Sequence, residues 1–180
     1  MEQKTSLAKS TLPYGIIFGI IMILEYVVSY TMGLTAQNSP SMGTIMFFAN
    51  NIIMPFIFIL LACNNFKKNL NEGYISFGQC IKGGVAVCVV AGLLFAVFNS
   101  VFYLIIPEAK DEMLEQTKIA LAQNPNMTAE LMKQSIEMTK LFMKPYVSIP
   151  FSILMFSFVG LIISLIVGAF VKKDNPGAIN

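Results

Sequence analysis

The chain has 180 residues, 56% of them apolar and only 12% charged, with a formal net charge of +2. A soluble domain of this length cannot hide so much apolar surface, so the composition excludes an ordinary water-soluble globule. Arginine, histidine and tryptophan are absent and the lysines form no basic face, which removes the commonest general base and metal ligand and argues against a nucleic-acid partner.

The first predicted membrane span covers residues 12–34. Its apolar part is too long for a signal peptide and no A-x-A cleavage site follows, so it is read as an uncleaved helix. It carries Glu25 inside the run "MILEYVVSY" at 22–30. A short uncharged connection, "TAQNSPS" at 35–41, leads to a second span at 42–64, which holds Asn50, Asn51 and Pro55. Pro55 removes one backbone hydrogen bond and marks a place for a kink. A basic connection at 65–82 carries Lys67, Lys68 and Lys82. The third span is predicted at 83–106 and the fourth at 146–171. Each is about 23–26 residues, roughly 35–39 Å as helix, enough to cross a bilayer with some tilt.

Between spans three and four the pattern changes from apolar to amphipathic. Pro107 suits the first position of a helix, and Glu108, Asp111 and Glu112 crowd its first turn, where the macrodipole favours acids. "NPNMT" at 124–128 signals a turn, Thr128 an N-cap, and Lys140 and Lys144 a C-terminal end. Helices over 108–123 and 128–144 are therefore predicted, forming an extramembrane hairpin inserted at 107–145. Asp111 and Glu112 read as part of its solvated face. Met132, Ile136 and Met143 make one apolar stripe, and Leu131, Met138 and Phe142 another. These stripes either pack the hairpin against itself and the membrane surface, or offer a face to a protein partner or second copy.

Small residues recur every fourth position on span three: Cys80, Gly84, Cys88, Gly92, Ala96 and Ser100. Span four has Gly160, Ser164 and Gly168, and span one has Gly15 and Gly19. Close approach through small residues drives helix association in lipid. A four-residue spacing drifts by about 40° per step, so the seam winds and span three is expected to be central. Cys63, Cys80 and Cys88 are odd in number and form no C-x-x-C pair, which argues for small core residues rather than a zinc site or disulfide.

Lys4 and Lys9, Lys67, Lys68 and Lys82, and Lys172 and Lys173 all fall on one side of a four-span chain, and the positive-inside rule makes that side cytoplasmic. Both termini then face the cytoplasm and the hairpin lies outside, although its five lysines weigh against this orientation. Counted from the outer ends of the spans, Glu25 lies roughly 13 Å deep, at the level of Asn50, Asn51 and Asn99, with Ser152 and Ser157 bracketing the same depth. These residues form a candidate intramembrane polar layer, with Tyr26 and Tyr103 close by. In one reading Glu25 is a neutral acid that hydrogen-bonds Asn50 or Asn51 and pins the helices in register. In the other it binds a proton or cationic solute, since an intramembrane acid is a functional candidate by default.

"GYISFGQ" at 73–79, "KLFMKP" at 140–145 and "LIISLIVGAFVKK" at 161–173 resemble the bacterial membrane family catalogued as domain of unknown function 4199. The resemblance implies a four-span protein of the bacterial cytoplasmic membrane and brings no activity, ligand or catalytic residue. The first of these motifs reads as an interfacial segment: Tyr74 and Phe77 suit the interface, Gly73 and Gly78 permit a turn, and Gln79 can cap a helix.

The expectation is thus an all-α integral membrane protein, one four-span domain over 1–180 with a helical hairpin between the third and fourth spans. No cofactor motif, phosphate loop, metal cluster or nucleophile–base set is present, so an enzyme is not expected. The leading role is envelope assembly or an accessory subunit, with the bilayer, a second copy or a membrane complex as partners. The alternative is a dimeric proton- or cation-coupled transporter of small solutes using Glu25.

Overall fold

The computed structural model describes residues 6–34 and 39–176. Among them every regular element is helical, and four helices, 7–31, 41–70, 77–105 and 145–171, are long and apolar enough to cross a membrane.

Helix α1 (Leu7–Thr31) begins where the Ser6 hydroxyl accepts from the Lys9 N–H at 3.3 Å. It ends at Gly33, whose φ of 63° lets the Gly33 and Leu34 N–H groups close back on Tyr30 O and Ser29 O at 3.1 and 2.9 Å. Such a left-handed cap satisfies the last carbonyls. The predicted span 12–34 is therefore displaced toward the N-terminus. Hydropathy misses the first turn because Ser10 and Thr11 are polar, yet their hydroxyls donate to Leu7 O and Ala8 O and both residues are buried. Of the predicted connection 35–41, residues 35–38 lie outside the described residues, as does Lys4.

Helices α2 (Pro40–Phe48) and α3 (Met54–Asn65) are joined end to end by a π-helical turn, Ala49–Ile53, in which the Met54 N–H reaches Ala49 O. The wide turn sits directly ahead of Pro55, whose missing N–H would have met Asn51 O. The expected irregularity at Pro55 is thus a π turn, one of the recognised causes of helix bending. A second π turn, Phe66–Leu70, carries the rod past its predicted end at 64. The basic connection is correspondingly short.

That connection is a tight reversal. Glu72 and Gly73 have φ of 53° and 85°, and the Gly73 N–H bonds Lys67 O at 2.7 Å. Ile75 is fully buried and forms an antiparallel bridge with Lys173, both N–H···O distances being 2.9 Å. Lys173 Nζ stands 5.3 Å from the Tyr74 ring, and Lys67 Nζ donates to Val171 O at 2.7 Å. The "GYISFGQ" segment, expected at the interface, therefore ties this connection to the chain at Lys173, with Ile75 buried and Ser76, Phe77 and Gly78 exposed. Helix α4 (Phe77–Ile105) starts in a capping box: Gln79 N–H donates to Ser76 Oγ at 3.2 Å and Ser76 N–H to Gln79 Oε1 at 2.8 Å. The box starts the helix at Phe77, ahead of the predicted 83, and places Gly78 inside its first turn.

Helices α5 (Pro107–Ala122) and α6 (Ala129–Phe142) form as expected, with Pro107 opening the first and Thr128 Oγ1 accepting from the Leu131 N–H at 3.2 Å to open the second. Helix α7 (Pro145–Val171) completes the bundle.

Helix α4 is central, packing on α7, α1, α3 and α5, while α3 lies against α1, α4 and α7. The α4–α7 seam is an antiparallel ladder of four-residue steps. A Cβ on Gly168 would meet Cys80 Cβ at 3.2 Å, one on Gly84 would collide with Ser164, one on Gly160 would lie 3.0 Å from Cys88 Cβ, and one on Gly92 would lie 2.5 Å from Phe156. Gly15 and Gly19 of α1 press instead on Val87, Val90, Ala91 and Leu94, round the helix from that line. Two neighbours share the small surface of α4, as a winding seam requires. In the half of the bundle where α1 begins and α7 ends, Phe18, Phe58, Ile59, Phe66, Ile75, Val87, Val167 and Val171 form a continuous apolar core, together with all three cysteines.

Candidate functional site

Glu25, Asn50, Asn51, Asn99, Tyr26 and Tyr103 lie in the other half of the bundle, toward the hairpin. Asn50 Nδ2 donates to Glu25 Oε2 at 2.8 Å, joining the second rod to α1. Asn50 lies inside the π turn, and the extra residue of such a turn rotates the helix faces on either side of it relative to each other. Asn50 Oδ1 is buried without a hydrogen-bond partner. Its neighbour Asn51 does not join the pair: Nδ2 donates to Phe47 O of its own helix at 2.9 Å.

Tyr26, the next residue along α1, faces α4. Its ring stands edge-on to Phe95, Phe98 and Phe102 at centroid distances of 6.0, 6.1 and 5.3 Å. Its hydroxyl donates to the Tyr103 hydroxyl at 3.3 Å, and Tyr103 donates to Met113 Sδ at 3.0 Å. This relay ties α1 and α4 to α5 of the hairpin. Beside it, between the end of α1, Met46 and Glu112 of α5, lies a cleft of about 270 Å³.

Asn99 lies in a different place. Beyond the Gly92–Phe156 step, the seam between α4 and α7 continues with Ala96 and Ser100 on one side and Ser152 and Ser148 on the other. All four are small, where the step before them sets Gly92 against the Phe156 ring. The result is a cavity of about 170 Å³, roofed by Met113, Phe142 and Met143 of the hairpin. Asn99 lines it, with Oδ1 buried and unpartnered. Ser100 and Thr139 direct their hydroxyl protons to Ala96 O and Ser135 O at 2.8 and 2.9 Å, so their lone pairs remain to accept. Among the described residues no charged side chain lines the cavity. Ser157 donates to Ile153 O at 2.6 Å.

The polar layer expected from depth is thus split. Glu25 and Asn50 meet, Asn51 folds back, and Asn99 with Ser152 serves the cavity between α4 and α7. Depth along a helix follows from residue counting, whereas the direction around it depends on which neighbour takes which face. The role of Met113, Thr139 and Ser148 was missed. The signal available was the four-residue spacing Ser148, Ser152, Phe156, Gly160, Ser164, Gly168, which mirrors the small positions of α4.

Among the described residues no three His, Cys, Asp or Glu side chains are grouped to hold a metal ion. No curated protein and no solved structure matches the chain. The family described as "Protein of unknown function (DUF4199)" matches residues 13–173, from Pro13 in α1 to Lys173 at the Ile75 bridge, and the chain belongs to that family.

Proposed function

We propose that the protein is a multi-pass component of the bacterial cytoplasmic membrane, with both termini in the cytoplasm, that serves as an accessory subunit or an envelope-assembly factor. The Glu25–Asn50 pair is its internal polar lock. The observation that supports this reading is the apolar core below the pair, where side chains from Phe18 and Phe58 to Ile75 and Val171 pack as one buried hydrophobic cluster. A carboxyl that accepts from an amide at its own depth has its burial cost offset, which suits a registering role.

The second reading, a dimeric proton- or cation-coupled transporter, is favoured by one observation. Asn50 sits in a π turn next to Pro55, and such turns recur at functional sites. Purified protein in detergent separates the two. For the lock, adding sodium, potassium or tetraphenylphosphonium releases no protons that depend on Glu25. Proton release that is lost in a normally folded Glu25→Gln variant would replace the lock with transport. The accessory role predicts a heteromeric complex in native membranes solubilised mildly. Migration as a homodimer alone would remove it.

A further inference from the structure

We infer that α6 lies flat in the bilayer interface at the hairpin end, with Leu131, Met138 and Phe142 seated among the headgroups and the first acyl carbons. The inference rests on the membrane-spanning reading of the four long helices.

Helix α6 is two-faced. At 100° per residue, Leu131, Met138 and Phe142 fall within about 40° of arc, while Lys133 and Lys140 lie on the opposite side. The opposite face carries Glu137 as well, and all three charged residues are exposed. No residue of α6 is buried. Met132, Ile136 and Met143 are partly covered, but Leu131, Met138 and Phe142 remain 49%, 53% and 38% exposed. An amphipathic helix with lysine on its polar face and a bare apolar stripe is the form that binds in a membrane interface.

The occupant follows from what the stripe adjoins. The Phe142 ring packs on Phe151 of α7 with centroids 4.8 Å apart. Phe151 is itself 43% exposed and opens the outward face of α7, which continues through Leu154 at 66% and Phe158. That face belongs to one of the four helices apolar enough to span a bilayer. The apolar surface therefore runs without a break from the lipid-facing side of α7, round the corner at Pro145, onto α6. At the corner stands Tyr146, 69% exposed, with Lys144 Nζ 5.9 Å from its ring. Tyrosine beside lysine is the pairing expected at headgroup level. A lipid surface already wetting Phe151 extends to Phe142 and Met138 with no change of partner.

The chain lacks tryptophan, so one introduced indole reports alone. Full-length Met138→Trp, Leu131→Trp, Lys133→Trp and Leu154→Trp variants are reconstituted into phosphatidylcholine–phosphatidylglycerol vesicles, with or without bromine at shallow acyl positions. The fold of each is checked by circular dichroism. Indoles at 138 and 131 are expected to emit blue-shifted and to lose intensity in the shallow-brominated vesicles. The indole at 133 should emit as in water and stay unquenched. Water-like emission at both 138 and 131, beside a lipid-quenched 154, overturns the inference and leaves the membrane reading intact. Blue-shifted but unquenched emission at 138 and 131 also overturns it, because a protein surface then covers the stripe. An unquenched indole at 154 would instead overturn the membrane reading on which the inference depends.

Discussion

Asn50 reaches Glu25 from within a widened helical turn, its Nδ2 donating to Glu25 Oε2 at 2.8 Å. The pair joins α1 to the second rod, and one turn farther along Ser29 Oγ donates to Met46 Sδ at 3.5 Å. Removing the donor with Asn50→Ala should cost about 0.6–2 kcal/mol, the usual worth of such bonds between membrane helices. Glu25→Gln retains an acceptor oxygen and should leave stability near wild type. Unfolding in mixed micelles followed by circular dichroism measures both, and a double variant tests whether the losses are shared. Wild-type stability in Asn50→Ala would show that the bond locks nothing.

The α4–α7 ladder makes a sharper steric prediction. A methyl on Gly84 would collide with Ser164 and lie 2.8 Å from Ile59 Cγ2, whereas Gly43 of α2 has nothing within 4 Å of the same built atom. Gly84→Ala should therefore destabilise by about 1–3 kcal/mol, as overpacking does. Gly92→Leu, set against the Phe156 ring, should abolish a stable fold. Gly43→Ala should be neutral or slightly stabilising, since alanine is the better helix former. Equal melting temperatures for the Gly84 and Gly43 variants would place the seam in lipid instead.

The contrast between those two glycines shows what the sequence carries. Four apolar runs, the four-residue spacing on span three and the turn chemistry at Pro107 and Thr128 are local signals, and each became the element expected of it. Helix ends were less legible. Ser10, Thr11 and Gln79 are polar, so hydropathy counts them as loop, although each satisfies itself with a backbone partner inside or at the start of a helix. The π turns were invisible because nothing in "ANNII" or "FKKNL" encodes an extra residue per turn except the proline that follows the first. The site was half legible for the same geometric reason. Residue counting set Glu25, Asn50 and Asn99 at one depth, but which of them meet depends on azimuth, and Asn99 faces α7.

Ser76 starts the central helix, and its hydroxyl is half of a reciprocal cap with Gln79. Ser76→Ala should cost about 0.5–2 kcal/mol, in line with lost N-caps. Ser39 occupies the same position before α2 but makes no side-chain cap bond. Ser39→Ala should therefore leave the unfolding midpoint unchanged. The paired measurement isolates the cap from the general effect of replacing serine. An equal response of the two variants would show that the box contributes nothing beyond propensity.

The membrane topology can be read with thiol labels, because the native cysteines do not interfere. Cys63, Cys80 and Cys88 are all buried, so a charged maleimide applied to intact cells should leave the wild-type chain unlabelled. Glu115 on α5 and Lys172 after α7 are both exposed and mark the two ends of the bundle. With the lysine-rich connection and termini held in the cytoplasm, Glu115→Cys should label in intact cells and Lys172→Cys only after permeabilisation. The reverse pattern would invert the orientation and show that the hairpin's own lysines outweigh those at the ends. Labelling of both from outside would put Glu115 and Lys172 on one face, which the single crossing by α7 between them does not allow.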